Sequence, residues 1–166
     1  MPDSAKSERP PGIVLKQRTS QPPLDVSELI LTLQLVDSAN NPADLLVTDP
    51  AGRRTGSDPG RNAGLAEIPN AWYDSAPPVT QTDEDPPPAA LARTFTLVTP
   101  PPGRYVVELL GRRSGPYALD VTIVTPAGQR RQHTTRGAIT RAGETQRFEI
   151  VYAPADSGVP VLNRTH

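Results

Sequence analysis

The 166-residue chain contains no cysteine, which excludes disulfides, thiolate catalysis and Cys-ligated zinc together. Histidine is almost as scarce. His133 and His166 are the only two; His166 sits in a polar tail, and His133 lies in QRRQHTTR, which reads as an exposed strand. A Ser-His-Asp device needs a histidine packed beside a serine and oriented by a carboxylate. No GxSxG elbow, HExxH pair or phosphate-binding loop is present, so the expectation is a protein that is not an enzyme. Lysine is nearly missing too: of 17 basic residues only Lys6 and Lys16 are lysine, and the rest are arginine. The formal net charge of −1 supplies no global field towards nucleic acid or an anionic membrane. No stretch approaches the roughly 20 apolar residues of a spanning helix, and the opening MPDSAKSERPPG has no apolar core of the kind a secretory signal peptide needs.

Proline and glycine are abundant, at 21 and 12 residues, while hydrophobic residues make up 36% of the chain and mean hydropathy is −0.44. Polar tails around a compact centre account for both. Residues 1–24 carry Pro10, Pro11, Pro22 and Pro23 among polar residues and read as a flexible arm or linker, with GIVLKQ (12–17) as a segment able to add an edge strand. Residues 154–166 read as a flexible tail. The domain itself is expected over 25–153.

Within it the apolar pattern has period 2. SELILTLQLVD sets Leu29, Leu31, Leu33 and Leu35 on one face. ADLLVTD (43–49) follows after a turn. LARTFTLVT (91–99) places Leu91, Arg93, Phe95 and Leu97 in one phase. GRYVVELLG (103–111) offers Tyr105, Val107 and Leu109, YALDVTIVT (117–125) offers Tyr117, Leu119, Val121 and Ile123, and TQRFEIVYA (145–153) offers Phe148, Ile150 and Tyr152. A weaker strand lies in GQRRQHTTRG (128–137). Pro69 interrupts the one run that could pass for a helix. The fold expected is all-β: an antiparallel two-sheet sandwich, immunoglobulin-like or jelly-roll-like, of about seven or eight strands with long loops.

Two segments break the strand spacing, and long loops in compact domains often carry function. Residues 56–75 hold Leu65, Ile68, Trp72 and Tyr73, enough apolar surface to pack on the sandwich; residues 76–90 are acidic and proline-stiffened. Arg53, Arg54, Trp72 and Tyr73 are the candidate ligand- or partner-binding residues, because guanidinium forks suit oxyanions and exposed aromatics stack on sugars or anchor protein partners. Calcium, which takes six to eight oxygens, is the one cofactor considered, with Asp58 and Asp74 as candidate ligands. Asp49 belongs to a different explanation: Asp49-Pro50-Ala51-Gly52 recurs as Thr125-Pro126-Ala127-Gly128, and the shared element is a β-turn rather than a ligand. The Arg pairs 53/54, 112/113 and 130/131 each flank a turn, so they either share a basic rim or are separately solvated.

Two blocks, ADLLVTDPAG (43–52) and PPPGRYVVELLGRRSGPYALDVTI (100–123), resemble the bacterial pre-peptidase C-terminal domains, which are small secreted β-sandwiches. Leu46 stands where that family usually has an aromatic. Tyr105 and Tyr117 each follow a glycine by two residues at a strand start, where a phenol can bond back to a preceding loop carbonyl. The resemblance implies a non-catalytic accessory module of a secreted or cell-surface protein, a monomeric domain that helps localisation or binds a protein or glycan partner; some related sandwiches bind calcium. The alternative is a structural subunit that assembles by strand pairing at its edges or through the N-terminal arm.

Overall fold

A computed structural model of the protein describes residues 24–35, 42–60, 63–74, 92–154 and 163–165. The GIVLKQ segment and the acidic 76–90 stretch lie outside them. The described residues form eleven strands: β1 (Glu28–Leu35), β2 (Ala43–Thr48), β3 (Arg54–Ser57), β4 (Gly64–Ala66), β5 (Ala71–Asp74), β6 (Ala92–Val98), β7 (Gly103–Gly111), β8 (Gly115–Val124), β9 (Arg130–Ile139), β10 (Thr145–Tyr152) and β11 (Asn163–Thr165). All pairings are antiparallel, in two stacked sheets ordered β5-β6-β1-β8-β9 and β11-β10-β7-β2-β3-β4. The strands beyond the seven or eight expected come mainly from the 56–75 excursion, which supplies β4 and β5, and from the tail, where β11 pairs with β10.

Period-2 alternation becomes a dry interlayer. Leu29, Leu31 and Leu33 of β1 are fully buried, as are Leu45, Val47, Phe95, Tyr105, Val107, Leu109, Leu119, Val121 and Ile150. Each large apolar side chain removed from water contributes on the order of 1.5–3 kcal/mol, so this face holds the sheets together. The excursion is pinned to the same core by Ile68, with Ala71 and Tyr73 packed against it.

Register divides the sandwich into two poles. Glu28, Val98, Val124 and Arg130 lie side by side, and Pro50 packs on Gly103, so the loops 49–53, 99–102 and 125–129 share one pole. Two of them are the same turn. Asp49 N–H donates to Arg53 O (2.9 Å) and Gly52 N–H to Asp49 O (3.0 Å); Thr125 N–H donates to Gln129 O (2.9 Å) and Gly128 N–H to Thr125 O (2.8 Å). Gly52 and Gly128 take φ values of 82° and 76°, the left-handed conformation that favours glycine. The first side chain fastens each turn. Asp49 Oδ1 accepts from the N–H groups of Ala51 and Arg53, both at 2.9 Å, and Thr125 Oγ1 accepts from Gln129 N–H at 3.2 Å. The recurrence in the sequence is thus turn geometry. Beside these turns Tyr105 donates to Pro101 O at 2.7 Å, the corner expected of it.

Tyr117 behaves differently. Its hydroxyl donates to Gln146 Oε1 (2.5 Å) rather than to a loop carbonyl. Gln146 Nε2 continues to Ala138 O (2.7 Å) and Glu144 Oε1 (2.5 Å), and Glu144 Oε2 accepts from Thr140 N–H and Oγ1, both at 2.6 Å. This network fastens the β9–β10 connection at the opposite pole.

Candidate functional site

At that opposite pole the sheets part between β2–β4 and β5–β6, leaving an open cleft of about 290 Å³. The β2–β3 ladder runs only as far as Leu46 opposite Gly56. Gly56 has φ of 133°, and a Cβ there would sit 2.3 Å from the Leu45 carbonyl oxygen, so both the conformation and the close approach require glycine. Past this point Leu45 N–H donates to the Tyr73 hydroxyl, which reaches across from β5 in the other sheet (3.3 Å).

Five side chains converge in the gap. Arg112 N–H donates to Pro42 O at 2.8 Å, holding the β7–β8 turn against the residues entering β2. The Arg112 guanidinium donates from Nε to Asp44 Oδ2 (2.7 Å) and from Nη2 to Ser57 Oγ (3.1 Å), while Ser57 Oγ donates to Asp44 Oδ2 (3.4 Å). Arg93 comes from β6, its Nε 3.4 Å from Asp44 Oδ1. That contact lacks hydrogen-bond geometry, and Arg93 Nε is buried with no hydrogen-bond partner.

Two guanidiniums therefore face one carboxylate. The Asp44 side chain is 13% exposed, that of Arg93 21% and that of Arg112 44%, so the excess positive charge is only partly screened by water. Burial pushes the Tyr73 phenol up, the Leu45 N–H and both guanidiniums oppose this, and the Asp44 charge adds to it. The phenol stays protonated at neutral pH. Two arginine forks and two hydroxyls are donors of the kind that suit an oxyanion, and a buried charged donor lacking a hydrogen bond is costly to keep.

The residues singled out in the sequence do not form one surface. Tyr73 is in the cleft. Trp72, its neighbour on the strand, is 58% exposed and points the other way, so the loop is pinned by Tyr73 and Ile68 and not by the tryptophan. Arg53 is at the far pole, ion-paired with Asp49 (2.6 Å). The exposed Arg54 follows it, its N–H donating to Glu67 Oε2 (2.9 Å). Asp58 Oδ1 accepts from Gly60 N–H (2.9 Å) and serves a turn, and Asp74 is exposed at the end of β5. Among the described residues no three His, Asp or Glu side chains gather as metal ligands. Of the Arg pairs, 53/54 and 130/131 share the turn pole, whereas 112/113 lie in the β7–β8 turn at the other, with Arg112 lining the cleft, so the three pairs do not form a single basic rim. His133 is half-buried on the edge strand β9.

Sequence reading missed Asp44, Ser57, Arg93 and Arg112 as a group. One signal was present: Arg93 occupies the apolar phase of Leu91, Arg93, Phe95 and Leu97, where a charge has to find a partner within the sandwich. No protein-family profile, curated protein or solved structure matches this chain.

Proposed function

We propose that the chain is a non-catalytic binding module, an accessory β-sandwich of a secreted or cell-surface bacterial protein. Its recognition site is the Asp44–Arg93–Arg112 cleft, where it holds an acidic partner or substrate for neighbouring domains. The convergence of two arginines, one from β6 and one from the β7–β8 turn, on one carboxylate inside an open cleft carries this reading. A domain that served only as a spacer gains nothing from desolvating a guanidinium there. The likeness of the 43–52 and 100–123 blocks to pre-peptidase C-terminal domains supports the accessory role and the exported setting.

The test is retention of the full chain on immobilised polygalacturonate, polyglutamate and neutral cellulose. Wild type is expected to be held by an acidic matrix and to pass cellulose, and Arg112→Gln to lose that retention while still melting cooperatively. Passage of wild type through every matrix, or equal retention of the variant, refutes the reading. Assembly through sheet edges draws on β9, ten residues at the border of its sheet. Arg130, Arg131 and Arg136 along it are charges of the kind that guard an edge against pairing. Size-exclusion chromatography with and without residues 1–24 is expected to give a monomer in both cases, and a dimer that depends on the arm supports assembly instead.

A further inference from the structure

We propose that the ligand of this cleft is an acidic sugar, a hexuronate-type residue whose carboxylate engages Arg93 and Arg112 while adjacent ring hydroxyls bond to Asp44 and Ser57. The inference rests on the binding-module reading and names its ligand class.

Charge selects first. With two guanidiniums and one carboxylate the site carries a formal +1, which a carboxylate monoanion balances. A phosphate dianion overshoots and meets Asp44 as a like charge in partly desolvated surroundings. Geometry agrees, because a planar carboxylate takes two parallel N–H donors from a guanidinium fork.

Asp44 selects next. A site built only for an anion is better without a carboxylate in it. This one keeps Asp44 between both arginines and beside Ser57 Oγ, so acceptors and donors alternate over a few ångströms. That alternation matches a group presenting an acid and hydroxyls side by side. An aspartate or glutamate side chain offers methylenes next to its carboxylate, and the cleft wall here is mainly polar. The Tyr73 hydroxyl adds a protonated group on the same wall. Size agrees as well: about 290 Å³ is at the small end of ligand pockets, which run from roughly 300 Å³ upward, and suits a single sugar ring with its neighbours outside.

The experiment is calorimetric and NMR titration of the full chain with trigalacturonate, galactotriose, N-acetylglutamate and inorganic phosphate. Trigalacturonate is expected to bind, galactotriose to be weaker by at least about tenfold because the charged contact is missing, and backbone shifts to centre on residues 44–45, 57, 73, 93 and 112. Arg112→Gln, which changes a partly exposed side chain outside the apolar core, should weaken trigalacturonate by about tenfold or more. Asp44→Asn should weaken the sugar acid yet strengthen phosphate, reversing the preference; Ser57→Ala serves as the milder variant if the first does not fold. Binding of N-acetylglutamate or phosphate as tightly as trigalacturonate overturns the sugar assignment and leaves the binding-module reading standing. Failure of all four probes, with polyglutamate still retained on the column, does the same. Failure of the probes together with every acidic matrix overturns both.

Discussion

Replacing Asp49 and Thr125 by alanine compares two copies of one turn that differ in the side chain fastening them. Asp49 is buried at 4% exposure. It accepts from two backbone N–H groups and from Arg53 Nε at 2.8 Å. Hydrogen bonds to a charged group contribute about 1.5–3 kcal/mol each, but they do not add fully, and alanine also removes the cost of desolvating the carboxylate. Arg53, with 40% of its side chain exposed, returns to water when its partner goes. The net loss for Asp49→Ala is therefore about 3 kcal/mol by the same accounting. Thr125 gives up one neutral, longer bond, so Thr125→Ala costs about 0.5–1 kcal/mol. At roughly 3–6 °C per kcal/mol for a domain of this size the two variants should melt about 6–15 °C apart.

Thermal and urea unfolding followed by far-UV circular dichroism reads the difference, with an unchanged urea slope confirming that stability alone has moved. Asp49→Asn, which keeps an oxygen for the turn but loses the ion pair, should fall between alanine and wild type. Equal losses for the two alanine variants, or a greater one for Thr125→Ala, would refute the claim that the carboxylate is the stronger fastening.

Other perturbations test other links. Leu33→Asp puts a carboxylate at a fully buried position; the penalty of several kcal/mol consumes most of a typical 5–15 kcal/mol stability, so circular dichroism should show no cooperative melt, and a near-wild-type melt refutes the interlayer as described. Gly56→Ala combines a disallowed φ with a 2.3 Å approach to Leu45 O; strain alone costs about 1–3 kcal/mol, and the melting temperature should drop by several degrees or more while Gly52→Ala, with open space around its Cα, costs less. Glu144 is held down from 4.5 to about 2 by the Thr140 hydroxyl first, then the Gln146 amide and the Thr140 N–H. A carboxyl depressed on folding stabilises the protein above its unfolded pKa, and that contribution disappears as pH falls through the folded value. Glu144→Gln should therefore be less stable than wild type at pH 6, with the gap closing towards pH 2; a gap independent of pH in urea midpoints rules out the network as its source.

The long strands were readable because each buries one side and turns the other to water, so alternation in the chain is the physical imprint of the layer. Strands β3, β4 and β5 were not. They have three or four residues each, too few to show a period, and they exist because neighbouring edges offer hydrogen bonds. Trp72 and Tyr73 had equal apolar weight in the sequence, and only the pairing of Tyr73 with the inward Phe95 decides which goes inside. The cleft was hidden for a similar reason: its members come from β2, β3, β5, β6 and the β7–β8 turn, with no common spacing. Arg93 and Gln146 show what remained visible. Both are polar residues standing in the apolar phase of a strand, and both prove to be tied into polar groups within the fold.

Two aspartates mark the extremities of strand β2, Asp44 just inside its start and Asp49 just past its end, and they have been given unlike tasks. Asp49 closes a hairpin while Asp44 sits among arginines about 17 Å away, at roughly 3.4 Å per residue. That separation exceeds the 7–10 Å over which substitutions usually couple. Changes that harden one extremity should then leave affinity at the other untouched, giving a scaffold whose durability and selectivity can drift, or be engineered, along independent routes.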